Sequence, residues 1–233
     1  MILITGDLGF IGSRLVPKIK GGAGGIDLRA GRNLLTCKLP NPADVHTVYH
    51  LAAQSSVEPS WQDPLHDLDN IRITARLVHA FPHAKIIYAN SSAATEKPQS
   101  PYGFSKKASG EYIKLFHNNY VICTLPNVYG EEGGKSVVDI FKERDHVTIF
   151  GDGLQVRDYV HVDDIVEAFV KAKDWPKGEY TLGSGKGTTV LELAKGKNIR
   201  FETARKEERE VILPNTTPDW KPEIDVIEYI HAL

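Results

Sequence analysis

The chain has 233 residues, of which 41% are hydrophobic and 25% charged, and its formal net charge is −2. This composition is that of a globular protein, and the charge balance gives no reason to expect nucleic acid or an anionic membrane as a partner. Its two cysteines, Cys37 and Cys123, lie in apolar stretches, so we expect free thiols and a cytoplasmic location. We expect no membrane span, because no apolar run is long enough. We expect no signal peptide, because a strand and a glycine turn open the chain.

A glycine turn follows the first predicted strand. Residues 1–5 form an unbroken apolar run, typical of a buried parallel strand, and Gly6, Gly9 and Gly12 follow in the spacing G-x-x-G-x-x-G. In this context the spacing indicates a dinucleotide site. Gly6 permits the tight turn, Gly9 the approach of a pyrophosphate, and Gly12 the close packing of helix on strand. A purely structural glycine turn is the alternative.

The helix after this turn begins near Phe10 and Ile11. The free backbone N–H groups at its start are suited to bind phosphates. Pro17 removes a hydrogen bond from the same helix, so we expect the helix to be short or kinked.

Asp27 lies in the second predicted strand, over 25–28, in the region where an acidic residue meets the adenosine ribose. A carboxylate there repels a 2′-phosphate and favours NAD over NADP as the cofactor. Arg29 and Arg32 lie close by and weaken this preference. The alternative is an ordinary turn residue at the end of a strand.

Residues 47–53 are predicted to form another buried strand that ends in small side chains. Leu51, Ala52 and Ala53 leave room for a cofactor over the edge of the sheet. His50, inside the strand, is interpreted as a core residue and not as a catalytic base. A helix over 67–81 and a strand over 85–89 follow, with Ser92 just beyond the carboxyl end of that strand.

Tyr102 and Lys106 are four residues apart, so a helix presents both on one face. A neighbouring ammonium favours the phenolate form of a tyrosine and lowers the pKa of its phenol, which makes the tyrosine a possible base. Taken alone, the spacing is more typical of a solvent-facing pair on a helix. The helix is predicted over 105–118 and the next strand over 120–125.

The alternation of strands and helices predicts an α/β fold with a doubly wound, Rossmann-type parallel sheet. We assign residues 1–125 to this NAD-binding domain, with 156–175 returning to it. Residues 126–155 and 176–233 form a smaller, partly discontinuous substrate-binding lobe. An amphipathic helix over 162–173 begins with two acidic residues.

The sequence resembles the extended short-chain dehydrogenase/reductases and, within them, the NAD-dependent nucleotide-sugar epimerase/dehydratase family. It resembles an unusually short member. The resemblance covers nearly the whole chain and is carried by residues 5–12, 50–54, 63–64, Asn70, 91–94, 100–106, 126–130, 150–164, 182–185 and 220–222. It implies bound NAD, a nucleotide-sugar substrate and a homodimer. It implies no metal.

The resemblance also implies roles for individual residues. Tyr102 takes a proton from a sugar hydroxyl while hydride passes to NAD, Lys106 binds the nicotinamide ribose, and Ser92 bonds the reacting oxygen. Asn70 belongs to the cofactor-binding set, together with the glycine turn, Asp27 and residues 51–53.

The branch of the family is less closely defined. Ala93 and Ala94 stand where related dehydratases carry an acidic pair, and the stretch 90–95 lacks the cysteine of the fucose-synthase type. The remaining resemblance is to UDP-hexose 4-epimerases and to nucleotide-heptose 6-epimerases. We favour a UDP-hexose 4-epimerase. Another epimerase or a reductase of this family is the first alternative, and a non-catalytic NAD-binding sensor is the second.

The diphosphate contacts come from the later part of the chain. By resemblance, Arg157 binds the nucleotide diphosphate and Asn127 touches the sugar or a diphosphate oxygen. Arg209 is a candidate for a second clamp, with membership of an exposed charge run as the alternative.

Overall fold

The structure is a computed structural model, which describes residues 1–131, 136–204 and 210–232. The chain divides into two compact units. The first comprises Met1–Thr124 and Phe169–Tyr180, and the second comprises Leu125–Ala168 and Thr181–Leu233.

The elements of the described residues are named in chain order. The strands are β1 (Ile2–Thr5), β2 (Ala23–Ile26), β3 (Thr47–His50), β4 (Lys85–Ser91), β5 (Tyr120–Leu125), β6 (Asn127–Tyr129), β7 (His146–Phe150), β8 (Val156–His161), β9 (Gly178–Thr181), β10 (Gly187–Thr189), β11 (Asn198–Glu202) and β12 (Glu210–Val211). The α-helices are α1 (Gly12–Leu15), α2 (Val57–Gln62), α3 (Pro64–Ala80), α4 (Pro101–Phe116), α5 (Val137–Glu143), α6 (Val162–Ala172), α7 (Val190–Leu193) and α8 (Val226–His231).

The first unit is built on a sheet with the strand order β2-β1-β3-β4-β5-β9. Strand β1 pairs in parallel with β2 and β3, and β3 pairs in parallel with β4. All residues of β1 and β3 are buried, as expected of parallel strands that are covered on both faces. The doubly wound α/β fold predicted from the sequence is confirmed, and the carboxyl ends of β1, β3 and β4 meet at one edge.

Helix α1 is short, as Pro17 predicts. It ends at Leu15 and continues as a 3-10 turn over Val16–Lys18 that contains the proline. Proline cannot donate a backbone hydrogen bond, so the regular helix stops before it. The first helix therefore contributes little length beyond the glycine turn.

The two long helices of the first unit begin earlier than the periodicity of the sequence predicts. Helix α3 starts at Pro64 after the cap Asp63, and α4 starts at Pro101 after the cap Ser100. Each proline occupies the first helical position, where its missing N–H costs nothing. As a result, Tyr102 lies inside α4, and residues 64–69 lie inside α3.

The second unit has its own core. Strand β8 pairs with β6, β10 and β12, while β7 and β11 form a separate pair of parallel strands. Tyr129, Phe141 and Leu193 belong to the buried cluster between these strands and the helices α5, α7 and α8. Within the described ranges, no helix combines the length and the apolar character needed to cross a membrane.

Candidate active site

The glycine turn lies against the segment that follows β3. Gly6 has a φ of +75°, and a Cβ added to it would lie 2.8 Å from the Ala52 nitrogen. The Leu51 N–H donates to the Thr5 carbonyl at 3.1 Å, which fixes this segment beside β1. The structure thus brings the predicted cofactor-binding residues of the turn and of residues 51–53 to one place.

The turn is tight along its whole length. The Gly9 N–H donates to the Gly6 carbonyl at 3.0 Å, and a Cβ on Gly12 would lie 2.0 Å from that same oxygen. Phe10 and Ile11 lie between these glycines, and Ile11 precedes α1 as its cap. Only glycine permits this approach of helix to strand, as a dinucleotide site requires.

One acidic residue lies beside the turn and another lies within it. Asp27 is buried after β2, and its carboxylate accepts hydrogen bonds from the Leu8 N–H at 3.1 Å and the Arg29 N–H at 2.7 Å. Asp7, inside the turn, has a buried Oδ1 for which the described residues provide no hydrogen-bond partner. Burial raises the pKa of Asp7, and the charge of Asp27 raises it further. Acceptor oxygens at this edge suit ribose hydroxyls and oppose a 2′-phosphate, so the site fits NAD.

Tyr102 and Lys106 are a buried pair and not a solvent-facing one. Tyr102 is 9% exposed and Lys106 is 3% exposed. The Lys106 ammonium donates to the Ala89 carbonyl and lies 4.5 Å from the centre of the Tyr88 ring. Burial lowers the pKa of Lys106 to about 7.

The pKa of Tyr102 is raised, whereas the sequence pattern predicts a lowered one. Burial is the largest cause, because it penalises the phenolate. A hydrogen bond with the Ser91 side chain acts in the opposite direction, and the charge of Asp67 adds to the rise. Burial also penalises the ammonium of Lys106.

A loop after β4 meets the first turn of α4. A Cβ on Gly103 would lie 2.3 Å from the Ala93 carbonyl, so the glycine is needed for this contact. Strand β4 ends with Ser91, whose side chain bonds Tyr102, and the loop begins with Ser92. The catalytic role of Ser92 stays a prediction. Sequence reasoning missed Ser91, although the doubled serine at the end of a strand is a visible signal.

Asn70 joins three segments of the first unit. Its side chain accepts from the Gln54 N–H at 2.9 Å and donates to the Gln54 carbonyl at 3.1 Å and to the Ser105 hydroxyl at 3.0 Å. These contacts hold the segment after β3 against α3 and α4. Its predicted role in binding the cofactor remains untested.

His50 is a core residue. Its ring lies 3.0 Å from the hydroxyl of Thr5 and 3.0 Å from that of Thr74. Burial lowers the pKa of His50 to about 3, and Lys106 contributes in the same direction. The neutral ring serves as a hydrogen-bonding spacer between β1, β3 and α3.

The predicted diphosphate residues lie in the second unit. Arg157 is on β8, where its guanidinium donates to the Val156 carbonyl at 2.8 Å, and Asn127 is on the adjacent strand β6. The next residue, Asp158, accepts hydrogen bonds from the Ser184 hydroxyl at 2.6 Å and from three backbone N–H groups, and so anchors β8. Arg209 lies outside the described residues.

Comparison with known proteins decides the family. The model of the NAD dependent epimerase/dehydratase family matches residues 2–183. The chain belongs to this family. Its cofactor is NAD, in agreement with the glycine turn and the acidic residues beside and within it.

Individual family members match over nearly the whole chain. A putative UDP-glucose 4-epimerase of Methanocaldococcus jannaschii is 32% identical over 292 positions, which cover 99% of this chain and 96% of the relative. The crystal structure of a Thermotoga maritima UDP-glucose 4-epimerase with UDP-glucose has a TM-score of 0.81 at 29% identity, with 98% of this chain and 96% of that chain covered. A Thermus thermophilus UDP-glucose 4-epimerase in complex with NAD has a TM-score of 0.84 at 27% identity, with the same coverage.

The alignment with the Methanocaldococcus relative also confirms that this family member is short. The alignment is 292 positions long, whereas this chain has 233 residues. At least 59 aligned positions of the relative therefore have no counterpart in this chain. The stretch between Ser92 and Tyr102 spans only nine residues.

Proposed function

We propose that the protein is a UDP-hexose 4-epimerase that oxidises C4 of the sugar and then reduces the ketone from its other face. The observation that carries this proposal is the buried Tyr102–Lys106 pair, placed with Ser91 at the sheet edge that holds the glycine turn. The similarity to UDP-glucose 4-epimerases from three organisms supports the same substrate class.

Tyr102 acts as the base in this proposal. Bound NAD would supply the hydride acceptor for the sugar carbon, and the positive charge of its nicotinamide would favour the phenolate of Tyr102. The Tyr102 phenolate takes the hydroxyl proton and so becomes a phenol, which later returns the proton to the epimerised sugar. Ser92 bonds the reacting oxygen, Ser91 bonds the Tyr102 phenol, and Lys106 binds the nicotinamide ribose.

Residues of the second unit bind the nucleotide diphosphate in this proposal. Arg157 offers a planar guanidinium that suits two phosphate oxygens, and Asp158 keeps its strand in place. Asn127 and Arg209 are the further candidates. Arg157→Lys keeps the charge but loses the two-pronged geometry, so we expect a higher KM for the nucleotide sugar.

A non-catalytic NAD sensor is the competing class of function. It has no need of a buried tyrosine beside a buried lysine, since burying an ammonium costs free energy.

The deciding experiment extracts the bound nucleotide and incubates the protein with UDP-glucose, UDP-galactose and their N-acetyl forms. We expect bound NAD and interconversion of at least one pair, with Tyr102→Phe as the inactive control. Bound NAD without any conversion would favour the sensor.

We also propose a homodimer formed through α3 and α4. Both helices expose large apolar side chains, with Leu65 exposed by 72%, Leu68 by 44%, Phe104 by 55% and Leu115 by 75%. Sedimentation of the wild type should give a dimer, and Leu115→Glu should give a monomer. Leu191→Glu, at an exposed position of the second unit, is the control; a monomeric wild type contradicts the proposal.

We further propose a cytoplasmic location. Cys37 and Cys123 are both free thiols, and Cys123 is buried within β5. Free thiols are typical of a reducing compartment. Fractionation of the source cells tests this location directly.

A further inference from the structure

Asp67 is a buried acid on α3 that the mechanism above does not use. Its side chain is 1% exposed, and the described residues offer no hydrogen-bond partner to either carboxylate oxygen. A buried carboxylate without a partner is costly, since most buried charges are paired. Burial accordingly raises the pKa of Asp67.

The packing of α3 on α4 places Asp67 opposite Tyr102. The Asn70 amide donates to the Ser105 hydroxyl at 3.0 Å, and farther along the helices His79 Nε2 lies 2.8 Å from the Tyr112 hydroxyl. The residue numbers of both helices increase from the first contact to the second, so the two helices run in the same direction. One helical turn before Asn70 and Ser105, the facing residues are Asp67 and Tyr102.

Few other charges face this pair. On α3 and at its cap, His66 lowers the pKa of Asp67 and Asp63 raises it. On α4, Lys106 follows Tyr102 by one turn. Helix α2 packs against both helices and contributes the Ser60 hydroxyl, which accepts from the Tyr102 N–H at 3.4 Å, and the acid Glu58 at an exposed position.

We propose that Asp67 is a positioning residue that decides at which pH the Tyr102 phenol becomes a base. Ionised Asp67 opposes the phenolate, because two negative charges in one buried site repel each other. Neutral Asp67 permits it. The two groups therefore titrate as a coupled pair. The inference deepens the proposed epimerase function and rests on it for its kinetic test.

The test replaces Asp67 by groups that cannot ionise. In Asp67→Asn the shape is kept, and we expect the acidic limb of the kcat/KM profile to move to lower pH by on the order of one unit. Asp67→Glu restores a carboxyl group, and we expect its limb to lie near that of the wild type. Asp69→Asn is the matched control, since Asp69 is on the same helix and forms an exposed ion pair with Arg72 at 2.8 Å.

A second readout does not depend on catalysis. The absorbance of the phenolate, corrected with Tyr102→Phe, reports the ionisation of Tyr102 directly, and we expect it to appear at lower pH in Asp67→Asn. Asp67→Ser serves as the neutral variant if the asparagine variant fails to fold. The proposal would be overturned if a folded variant with a neutral side chain at position 67 shifted neither the acidic limb of the kcat/KM profile nor the titration of the Tyr102 phenolate. Absent epimerase activity with a shifted phenolate titration would overturn only the proposed function.

Discussion

The Lys106 ammonium is buried, and burial disfavours its charged form. Its contacts, the Ala89 carbonyl and the Tyr88 ring, do not restore the hydration that it loses, and its pKa falls from 10.5 to about 7. A lysine with this pKa is held at a cost to the folded state. Such a cost is typical of residues retained for function.

Lys106→Met should therefore stabilise the folded protein. Between pH 7 and 10.5 the unfolded chain binds the Lys106 proton and the folded chain does not, so the stability of the wild type rises with pH in this window. The variant should be more stable by about 1–4 kcal/mol below pH 7, and the difference should shrink towards pH 10. Urea unfolding of nucleotide-free protein measures this, with Lys107→Met as the control. A less stable Lys106→Met variant at pH 6 contradicts it.

The side chain of Asp7 occupies the space that Gly25 leaves open. A Cβ on Gly25 would lie 1.9 Å from Asp7 Oδ2, so the missing side chain in β2 makes room for the acid in the glycine turn. Gly25→Ala should cost about 1–3 kcal/mol, and the double variant with Asp7→Ala should recover most of it. Thermal unfolding measures the coupling. Gly24→Ala is the control, since the one close neighbour of its Cβ would be the terminal methyl of the flexible Met1 side chain, at 2.5 Å. Equal losses of stability at both glycines would refute the pairing.

At the scale of elements, the first turn of α4 organises the candidate active site. The Ser100 side chain caps it through the Gly103 N–H at 3.0 Å, Pro101 starts it, and Gly103 admits the Ala93 carbonyl. The same turn carries Tyr102. Loop, cap and base are therefore fixed by one short stretch of sequence.

Gly103→Ala should separate this loop from the helix. Alanine is the better helix former, but its Cβ would collide with backbone, so we expect a loss of stability and a fall in kcat of at least ~10-fold. Gly110→Ala in the same helix has its nearest neighbours at 3.9 Å and 4.0 Å and should be neutral or stabilising. Steady-state kinetics and thermal unfolding compare the two variants. Equal behaviour would show that the Ala93 contact is unimportant.

The first five strands of the sheet were predictable because each has a local signal, whereas β9 was not predicted. β5 begins and ends where the sequence predicts, and the cap Ser100 with Pro101 could have placed the start of α4 correctly. Contacts between elements have no such signal. The positions of Ser91 and Asp67 around Tyr102 depend on the packing of β4, α3 and α4, which no spacing in the sequence encodes.

At the scale of the whole molecule, the chain has 233 residues, and its alignment with the Methanocaldococcus relative leaves at least 59 positions of that relative without a counterpart. Only nine residues separate Ser92 from Tyr102, and we expect this short link to leave the reacting groups with less cover. Less cover admits water and lets an intermediate escape.

We therefore expect leakage of the keto-sugar during turnover. Each release leaves the bound cofactor reduced, so absorbance near 340 nm should rise slowly as UDP-glucose is turned over, and free 4-keto sugar should be trapped by a hydrazine. A longer epimerase of the family serves as the control and should leak less. Fast turnover with no reduced cofactor contradicts an open site.

The central claim is that Tyr102 and NAD together move a proton and a hydride at C4. The direct measurement uses UDP-glucose with deuterium at C4 and follows the product by NMR. We expect UDP-galactose that retains the deuterium at C4, and a rate lowered roughly 10²–10⁴-fold in Tyr102→Phe with unchanged NAD content. Exchange of the label with solvent, or an undiminished rate in Tyr102→Phe, would contradict it.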